Sequence, residues 1–128
     1  MSARPDRAHP ERPGSRAVGV HGEALAARWY EHRGYEVLAR NWRCRDGEID
    51  LVLRSGNCVV FCEVKTRSTG LFGAGSESVT PSKQRRIRRL AASWLSELGP
   101  ASTRSWVDVR FDVVSITGGR VEVIEGAF

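Results

Sequence analysis

The sequence predicts a small α+β or α/β domain, and three observations support that fold class. The length of 128 residues suffices for one compact domain with a modest core. Hydrophobic residues make up 41% of the chain and charged residues 27%, a balance typical of globular proteins. Apolar residues recur with helical and then strand spacing in the order α-β-β-β-α-β-β, without internal repeats.

The N-terminal segment, residues 1–18, differs in composition from the rest of the chain. It contains three prolines and four arginines, and few of its side chains can pack in a core. We therefore expect a disordered tail at 1–18 and a single domain at 19–128. No stretch approaches the roughly 20 apolar residues of a membrane span, and no secretory signal is evident, so a cytoplasmic protein is expected. The odd number of cysteines, three, favours free thiols over a disulfide framework.

A first helix and three strands are indicated by the next part of the chain. In GEALAARWYEHRG, apolar residues recur at helical spacing and Gly34 is a typical stop, which predicts a helix over roughly residues 20–33. YEVLARNWR then alternates as a strand does. Residues 47–65 supply two further strands, joined at the turn sequence SGN.

The second half of the chain predicts another helix and a terminal hairpin. Residues 66–80 are rich in Gly, Ser and Thr and should form a loop. Thr80 and Pro81 have the chemistry of a helix N-cap and first turn, and Gly99 follows the end of the apolar pattern. The positions of this helix expected to face a core are Ile87, Leu90, Ala91, Trp94, Leu95 and Leu98. WVDVRFDVVSI and RVEVIE then alternate around TGG as the two strands of a hairpin.

The hairpin of residues 47–65 has a register that its own apolar pattern selects. A two-residue turn places Ser55 opposite Cys58, and directly opposed residues of an antiparallel pair share a face. One face then becomes wholly apolar, with the opposed pairs Ile49–Val64, Leu51–Cys62 and Leu53–Val60. A slip of one residue would bury charge, so the pattern favours this pairing.

On the other face of the hairpin, Glu48 is expected opposite Lys65 and Asp50 opposite Glu63. Like charges at directly opposed positions are destabilising, so one carboxyl is protonated or solvated, or a cation lies between the two. Neutralising Glu63 should then stabilise the metal-free protein. Two or three carboxylates beside one ammonium suit Mg²⁺ and a phosphate group, which favours the cation.

The basic residues are concentrated in the opening of the second helix. Segment 83–89, KQRRIRR, has five basic residues and no acid, which equals the net charge of +5 of the whole chain. Such a cluster is either a solvated helix face or a surface that binds a phosphate backbone. The residues expected to contact nucleic acid are Arg67, Lys83, Arg85, Arg86 and Arg89. Branched or single-stranded DNA would be recognised mainly through shape and phosphate positions.

Asp50, followed on the next strand by Glu63-Val64-Lys65, resembles the signature of the PD-(D/E)xK nucleases. Together with GEIDLV, the hairpin spacing and the αβββαβ order, it makes residues 19–128 similar to the YraN family of bacterial proteins. That family is similar to Holliday-junction resolvases and is described as endonuclease-like. The resemblance implies a restriction-endonuclease-like α/β fold, in which helices flank a mixed central sheet.

The resemblance also implies roles for individual residues. The metal ligands would be Asp50, Glu63, the Val64 carbonyl and, from the first helix, Glu23. The alternative for Glu23 is a solvated helix residue. Lys65 would orient the attacking water or stabilise charge, and Glu48 would support the metal site.

The activity implied is Mg²⁺-dependent hydrolysis of phosphodiester bonds in DNA, with Mn²⁺ as a substitute ion. Resolvase-like enzymes that cut two strands generally act as symmetric dimers, so a homodimer is one expected assembly. Two alternatives remain open from the sequence. One is a non-catalytic nucleic-acid-binding domain with a nuclease fold, and the other is a protein-interaction module with a basic surface.

Overall fold

The computed structural model describes residues 13–67, 79–98 and 108–128, with side chains from residue 22 onward. The described elements follow the predicted order α-β-β-β-α-β-β. They are α1 Pro13–Glu31, β1 Glu36–Cys44, β2 Gly47–Ser55, β3 Cys58–Arg67, α2 Pro81–Leu98, β4 Asp108–Thr117 and β5 Arg120–Ile124. No helix among the described residues is long and apolar enough to cross a membrane.

The five strands form one mixed sheet in the order β1-β2-β3-β4-β5. Strands β3 and β4 are parallel and are separated in the chain by α2, whereas the other neighbours are antiparallel. A crossover between parallel strands commonly contains a helix that covers one face of the sheet. The structure confirms a mixed α/β fold with an αβββαβ core.

The two helices cover opposite faces of the sheet, because each buries a different set of strand residues. The α1-side core contains Ala26, Ala27, Tyr30, Leu51, Leu53, Val60, Cys62, Val114 and Ile116. The α2-side core contains Ile49, Val52, Val59, Phe61, Ile87, Leu90, Ala91, Trp94 and Phe111. Strand β3 contributes to both cores, as expected for a strand buried on two faces.

Helix α1 begins earlier than the predicted residue 20, and its first residue, Pro13, lies inside the segment 1–18 expected to be disordered. Proline is compatible with a first helical turn, because its missing N–H is one that the helix leaves unpaired. The helix ends at Glu31, and Gly34 has a φ of 88° with its N–H bonded to the Glu31 carbonyl oxygen at 3.0 Å. The predicted glycine stop is therefore confirmed.

Helix α2 begins as predicted. The Lys83 N–H donates to Thr80 Oγ1 at 3.2 Å, which is the expected N-cap bond. Of the six predicted core positions, Ile87, Leu90, Ala91 and Trp94 are buried and Leu95 is half-buried. Leu98 is wrongly predicted, since it is the last residue of the helix and is 37% exposed. Residues 68–78, within the predicted loop, and Gly99 lie outside the described residues.

A buried carboxylate, Asp112 on β4, connects α1 with the C-terminal segment. Its side chain is fully buried and accepts hydrogen bonds from the Tyr30 hydroxyl at 2.7 Å and the Gly126 N–H at 3.0 Å. Arg110 donates from two nitrogens, at 2.8 and 2.9 Å. A buried ion is tolerated only when its hydrogen bonds are satisfied, so this network holds three parts of the chain together.

Candidate active site

The β2–β3 hairpin has the predicted register as far as its ladder extends. Paired residues run from Ser55 opposite Cys58 to Leu51 opposite Cys62. Beyond that pair, Asp50 Oδ2 accepts a hydrogen bond of 2.7 Å from the Val64 N–H. A side chain accepts this main-chain hydrogen bond, and the predicted opposed pairs that involve Asp50, Ile49 and Glu48 are not part of the ladder.

Strand β2 changes face at Asp50, which the sequence pattern did not predict. Ile49 and Val52 both belong to the α2-side core, although strict alternation would place them on opposite faces. Leu51, between them, belongs to the α1-side core. The prediction that Ile49 shares a face with Leu51 is therefore wrong.

Strand β1 breaks at the matching position, Asn41. The β1–β2 pairing joins Arg40 to Leu51 and Trp42 to Ile49, and it omits the Asn41–Asp50 step between them. Asn41 has a φ of 50°, which is the left-handed region, in the interior of a strand. Ala39 and Trp42, three residues apart on β1, both pack against the α2-side core, so the alternation of β1 also reverses between them.

Glu23 is brought to this break by α1. It is buried, with 8% exposure, and Asn41 Nδ2 donates a 2.6 Å hydrogen bond to Glu23 Oε1. A Cβ atom at the preceding residue, Gly22, would collide with Thr66 Oγ1 on β3, so this glycine allows close approach of the helix to the sheet. The alternative of a solvated helix residue is wrong for Glu23.

Glu63 on β3 lies between two ammonium groups. Its Oε2 is 3.3 Å from Lys65 Nζ and 3.4 Å from Lys83 Nζ. The three side chains are 20%, 22% and 28% exposed, respectively. Burial and the nearby Lys83 lower the pKa of Lys65, while Glu63 acts in the opposite direction. Lys83, predicted only as a nucleic-acid contact, therefore lies in the same group as Lys65. We call this group the cluster, and its residues are Glu23, Glu48, Asp50, Glu63, Lys65 and Lys83.

The pKa of the Asp50 carboxyl is strongly perturbed by its surroundings. Burial raises its pKa from 3.8 to about 7, and the hydrogen bond from the Val64 N–H offsets part of that rise. The charges of Glu63, Glu48 and Glu23 add to the rise in pKa. A bound proton or a cation would relieve the repulsion among these acids.

Glu48 and Arg67 lie at the margins of the cluster. Glu48 is exposed, and its Oε1 is 3.5 Å from Arg43 Nε on the neighbouring strand. It acts on Asp50 through its charge. Arg67 is the last residue of β3, and its Nε is buried without a hydrogen-bond partner among the described residues.

The exposed arginines of α2 lie on the same side of the sheet as Phe61 and the α2-side core. We call Arg85, Arg86 and Arg89 the basic face, since spacings of three and four residues place them together on the helix surface. Arg88 is directed elsewhere, with its guanidinium carbon 4.8 Å from the centre of the Phe111 ring and 5.4 Å from that of Phe128. The structure thus separates the arginines available to a ligand from one that packs on aromatic rings.

The donor set of the cluster fits an open Mg²⁺ site better than a closed metal centre. Within the described ranges, no three His, Cys, Asp or Glu side chains converge as a ready-made metal site. Mg²⁺ commonly binds through one or two carboxylates and keeps several waters. Asp50, held by the Val64 N–H, and Glu63 on the adjacent strand match that requirement.

Sequence reasoning missed Asn41 and the second role of Lys83. Asn41 is the one asparagine in an otherwise strand-like segment, and a polar residue there signals only a possible irregularity. Lys83 carried a stronger signal, because it is one of only two lysines among 20 basic residues. Its contact with Glu63 depends on how α2 packs, which no local pattern specifies.

The fold and the cluster together define a small mixed α/β protein with a carboxylate- and lysine-lined centre beside its β2–β3 hairpin. The chain belongs to the Uncharacterised protein family UPF0102, whose signature matches residues 22–116. It is 52% identical to a UPF0102 protein of Frankia casuarinae over 117 residues, which cover 88% of this chain and 96% of that one. A UPF0102 protein of Rhodococcus opacus is 50% identical over 117 residues, with the same coverage. The predicted YraN family is confirmed, and membership of the nuclease superfamily stays a prediction.

Proposed function

We propose that this protein is a divalent-metal-dependent endonuclease that hydrolyses phosphodiester bonds in DNA and selects its substrate by structure rather than by sequence. The observation that supports it best is the end of the β2–β3 hairpin where the ladder stops and the Asp50 side chain accepts a hydrogen bond from the Val64 N–H. There, the partly buried Asp50 carboxylate lies next to the strand that carries Glu63 and Lys65. Perturbed acids beside fixed ammonium groups are typical of catalytic sites.

Each residue of the cluster has a distinct role in this proposal. Asp50 and Glu63 would hold Mg²⁺ or Mn²⁺, with the Val64 carbonyl as a further ligand, and the ion would supply Lewis-acid stabilisation of a phosphate oxygen. Lys65 orients the attacking water or stabilises the developing charge. Burial, the first cause, lowers the pKa of Lys65, so its neutral amine form is reached more easily than in an exposed lysine.

The basic face would bind the phosphate backbone, and Arg67 would extend that surface from the end of β3. Backbone contacts of this kind carry no sequence information, which favours recognition of branched or single-stranded regions by shape. Cleavage of both strands at a junction would require two such centres, which a symmetric homodimer supplies.

The proposal is tested with a panel of labelled junction, flap, overhang and single-stranded DNA incubated with the purified protein and Mn²⁺. We expect cleavage of at least one structure, no cleavage in EDTA, and loss of cleavage with retained DNA binding in Asp50→Ala. Asp108→Ala is the matched control, because Asp108 is an exposed acid paired with Cys58, at the turn end of the hairpin.

Cleavage that survives in EDTA or in Asp50→Ala would refute the metal-dependent mechanism. Binding without cleavage of any substrate would favour the non-catalytic nucleic-acid-binding domain instead. Absence of both binding and cleavage would favour a protein-interaction module.

A further inference from the structure

Asn41 has an unusual backbone conformation for its position. It lies inside β1 with a φ of 50°, and it is the one non-glycine residue in the described part of the chain with a positive φ. Asparagine tolerates the left-handed region better than most residues, but a strand interior normally requires extended backbone. Strained conformations of this kind persist where the surrounding structure holds them, often at functional sites.

The hydrogen bond that accompanies this conformation is with a buried acid. Asn41 Nδ2 donates to Glu23 Oε1 at 2.6 Å, and Glu23 is 8% exposed. Asn41 and Asp50 occupy the step that the β1–β2 pairing omits. The left-handed residue thus places an amide between α1 and the strand that carries the main candidate metal ligand.

The chemistry of the donor matters as much as its position. An amide donates a hydrogen bond without bringing a charge, so it can orient the Glu23 carboxylate without adding a positive charge of its own. An arginine or lysine at the same place would neutralise that charge. Gly22, the residue before Glu23, allows α1 to approach Thr66 closely.

We infer that Asn41 is a positioning residue, which holds the Glu23 side chain oriented toward the strand of Asp50 and thereby sets the affinity of the centre for a divalent cation. The inference rests on the proposed metal site. Residues that orient the groups around a metal typically change metal affinity or activity by 10- to 100-fold when they are replaced. Asn41 acts on the ion through Glu23 and does not itself bind it.

The test is Mn²⁺ affinity of the full chain, measured by isothermal titration calorimetry. Glycine adopts the left-handed region without cost, so Asn41→Gly removes the amide and keeps the backbone conformation. We expect this variant to fold and to bind Mn²⁺ about 10- to 100-fold more weakly than the parent protein. Asn57→Gly is the matched control, because Asn57 is exposed in the hairpin turn, and its Mn²⁺ affinity should be unchanged.

A second variant separates action through Glu23 from a general effect on the strand. Glu23→Gln keeps an oxygen that accepts the Asn41 hydrogen bond and removes the charge, so it should also weaken Mn²⁺ binding by about 10-fold or more. In the Glu23→Gln background, adding Asn41→Gly should have little further effect, since coupled residues are not additive. Full additivity of the two changes would overturn the inference, and so would a Glu23→Gln variant with parental affinity.

Mn²⁺ binding by the parent protein and by Asp50→Ala separates failure of this inference from failure of the proposed metal site. Absence of Mn²⁺ binding by the parent, or binding that Asp50→Ala leaves unchanged, would refute the metal site itself. Parental binding that is abolished in Asp50→Ala and unchanged in Asn41→Gly would leave the metal site standing and refute only the role of Asn41.

Discussion

The perturbed Asp50 carboxyl makes a specific prediction about metal-free stability. In EDTA, the variant Asp50→Asn should be more stable than the parent at neutral pH, because the native site disfavours an ionised carboxylate at this position. Burial is the main cause, and repulsion from Glu63, Glu48 and Glu23 adds to it. Asparagine has nearly the same shape, and its side-chain oxygen can still accept the hydrogen bond from the Val64 N–H.

The size and sign of this effect follow from the pKa of Asp50, which is raised from 3.8 to about 7. Below about pH 4 the carboxyl is protonated in both the folded and the unfolded chain, so it imposes no penalty. Between about pH 4 and pH 7 only the unfolded chain ionises, and stability falls as pH rises. Each tenfold change in proton affinity corresponds to about 1.4 kcal/mol. Because the Asp50 side chain keeps some solvent contact, we expect Asp50→Asn to raise the free energy of unfolding by about 2–4 kcal/mol in total.

The assay is urea unfolding of the parent and of Asp50→Asn in EDTA, at intervals from pH 4 to pH 8. The difference in unfolding free energy should be small at pH 4, grow toward pH 7 in favour of the variant, and then remain constant. Carboxyl groups that do not interact with Asp50 titrate in the same way in both proteins and cancel from the difference. Asp108→Asn, at an exposed position, should give a nearly flat difference curve. A flat curve for Asp50→Asn, or a variant less stable than the parent at pH 8, would refute the proposed environment of Asp50.

Three further predictions concern other parts of the site. Glu63→Gln should lower the free energy of unfolding in EDTA by about 1 kcal/mol, measured by urea unfolding, because Glu63 lies within 3.4 Å of two ammonium groups. This reverses the expectation from the hairpin pattern. A rise in stability would mean that these ion pairs do not form. Replacing the three arginines of the basic face by glutamine should make the log-affinity versus log-salt slope for DNA shallower by roughly 0.7 to 0.9 for each phosphate that is no longer neutralised. The matched triple variant at exposed positions elsewhere is Arg28, Arg33 and Arg54→Gln, and an equal change in that variant would assign the effect to net charge alone. Gly22→Ala should lower the free energy of unfolding by about 1–3 kcal/mol, since its methyl group meets Thr66, and parental stability would show that α1 can shift away from β3.

The sequence predicted most of the elements because their signals are local. The Gly56-Asn57 turn and the alternation around it were enough for the register from Ser55–Cys58 to Leu51–Cys62. The Thr80 cap likewise specified the start of α2, since a cap acts within one helical turn. Local rules failed at Ile49, where the alternation reverses, and at Leu98, where the helix ends.

Asp112 shows a second limit of prediction from local sequence patterns, which do not reveal that a charged residue will be buried. Asp112 lies in an alternating segment where the pattern gives no reason to bury a charge, yet it is fully buried. Its partners come from α1, from β4 and from the C-terminal segment, and they are up to 82 residues away in the chain. Burial of a carboxylate is favourable only with such partners, and sequence spacing does not show which distant residues will supply them.

For the candidate site, the sequence by itself determined the chemistry of the hairpin, because Asp50, Glu63 and Lys65 lie on two strands joined by a short turn. Only the tertiary structure decided that Asn41 adopts a left-handed conformation, that Glu23 is buried against it, and that Lys83 reaches Glu63. Those three features depend on how α1 and α2 pack on opposite faces of the sheet. Turns, caps and alternation are decided by neighbouring residues, so the sequence alone could determine them. Packing is decided by contacts between residues far apart in the chain, so only the tertiary structure could show it.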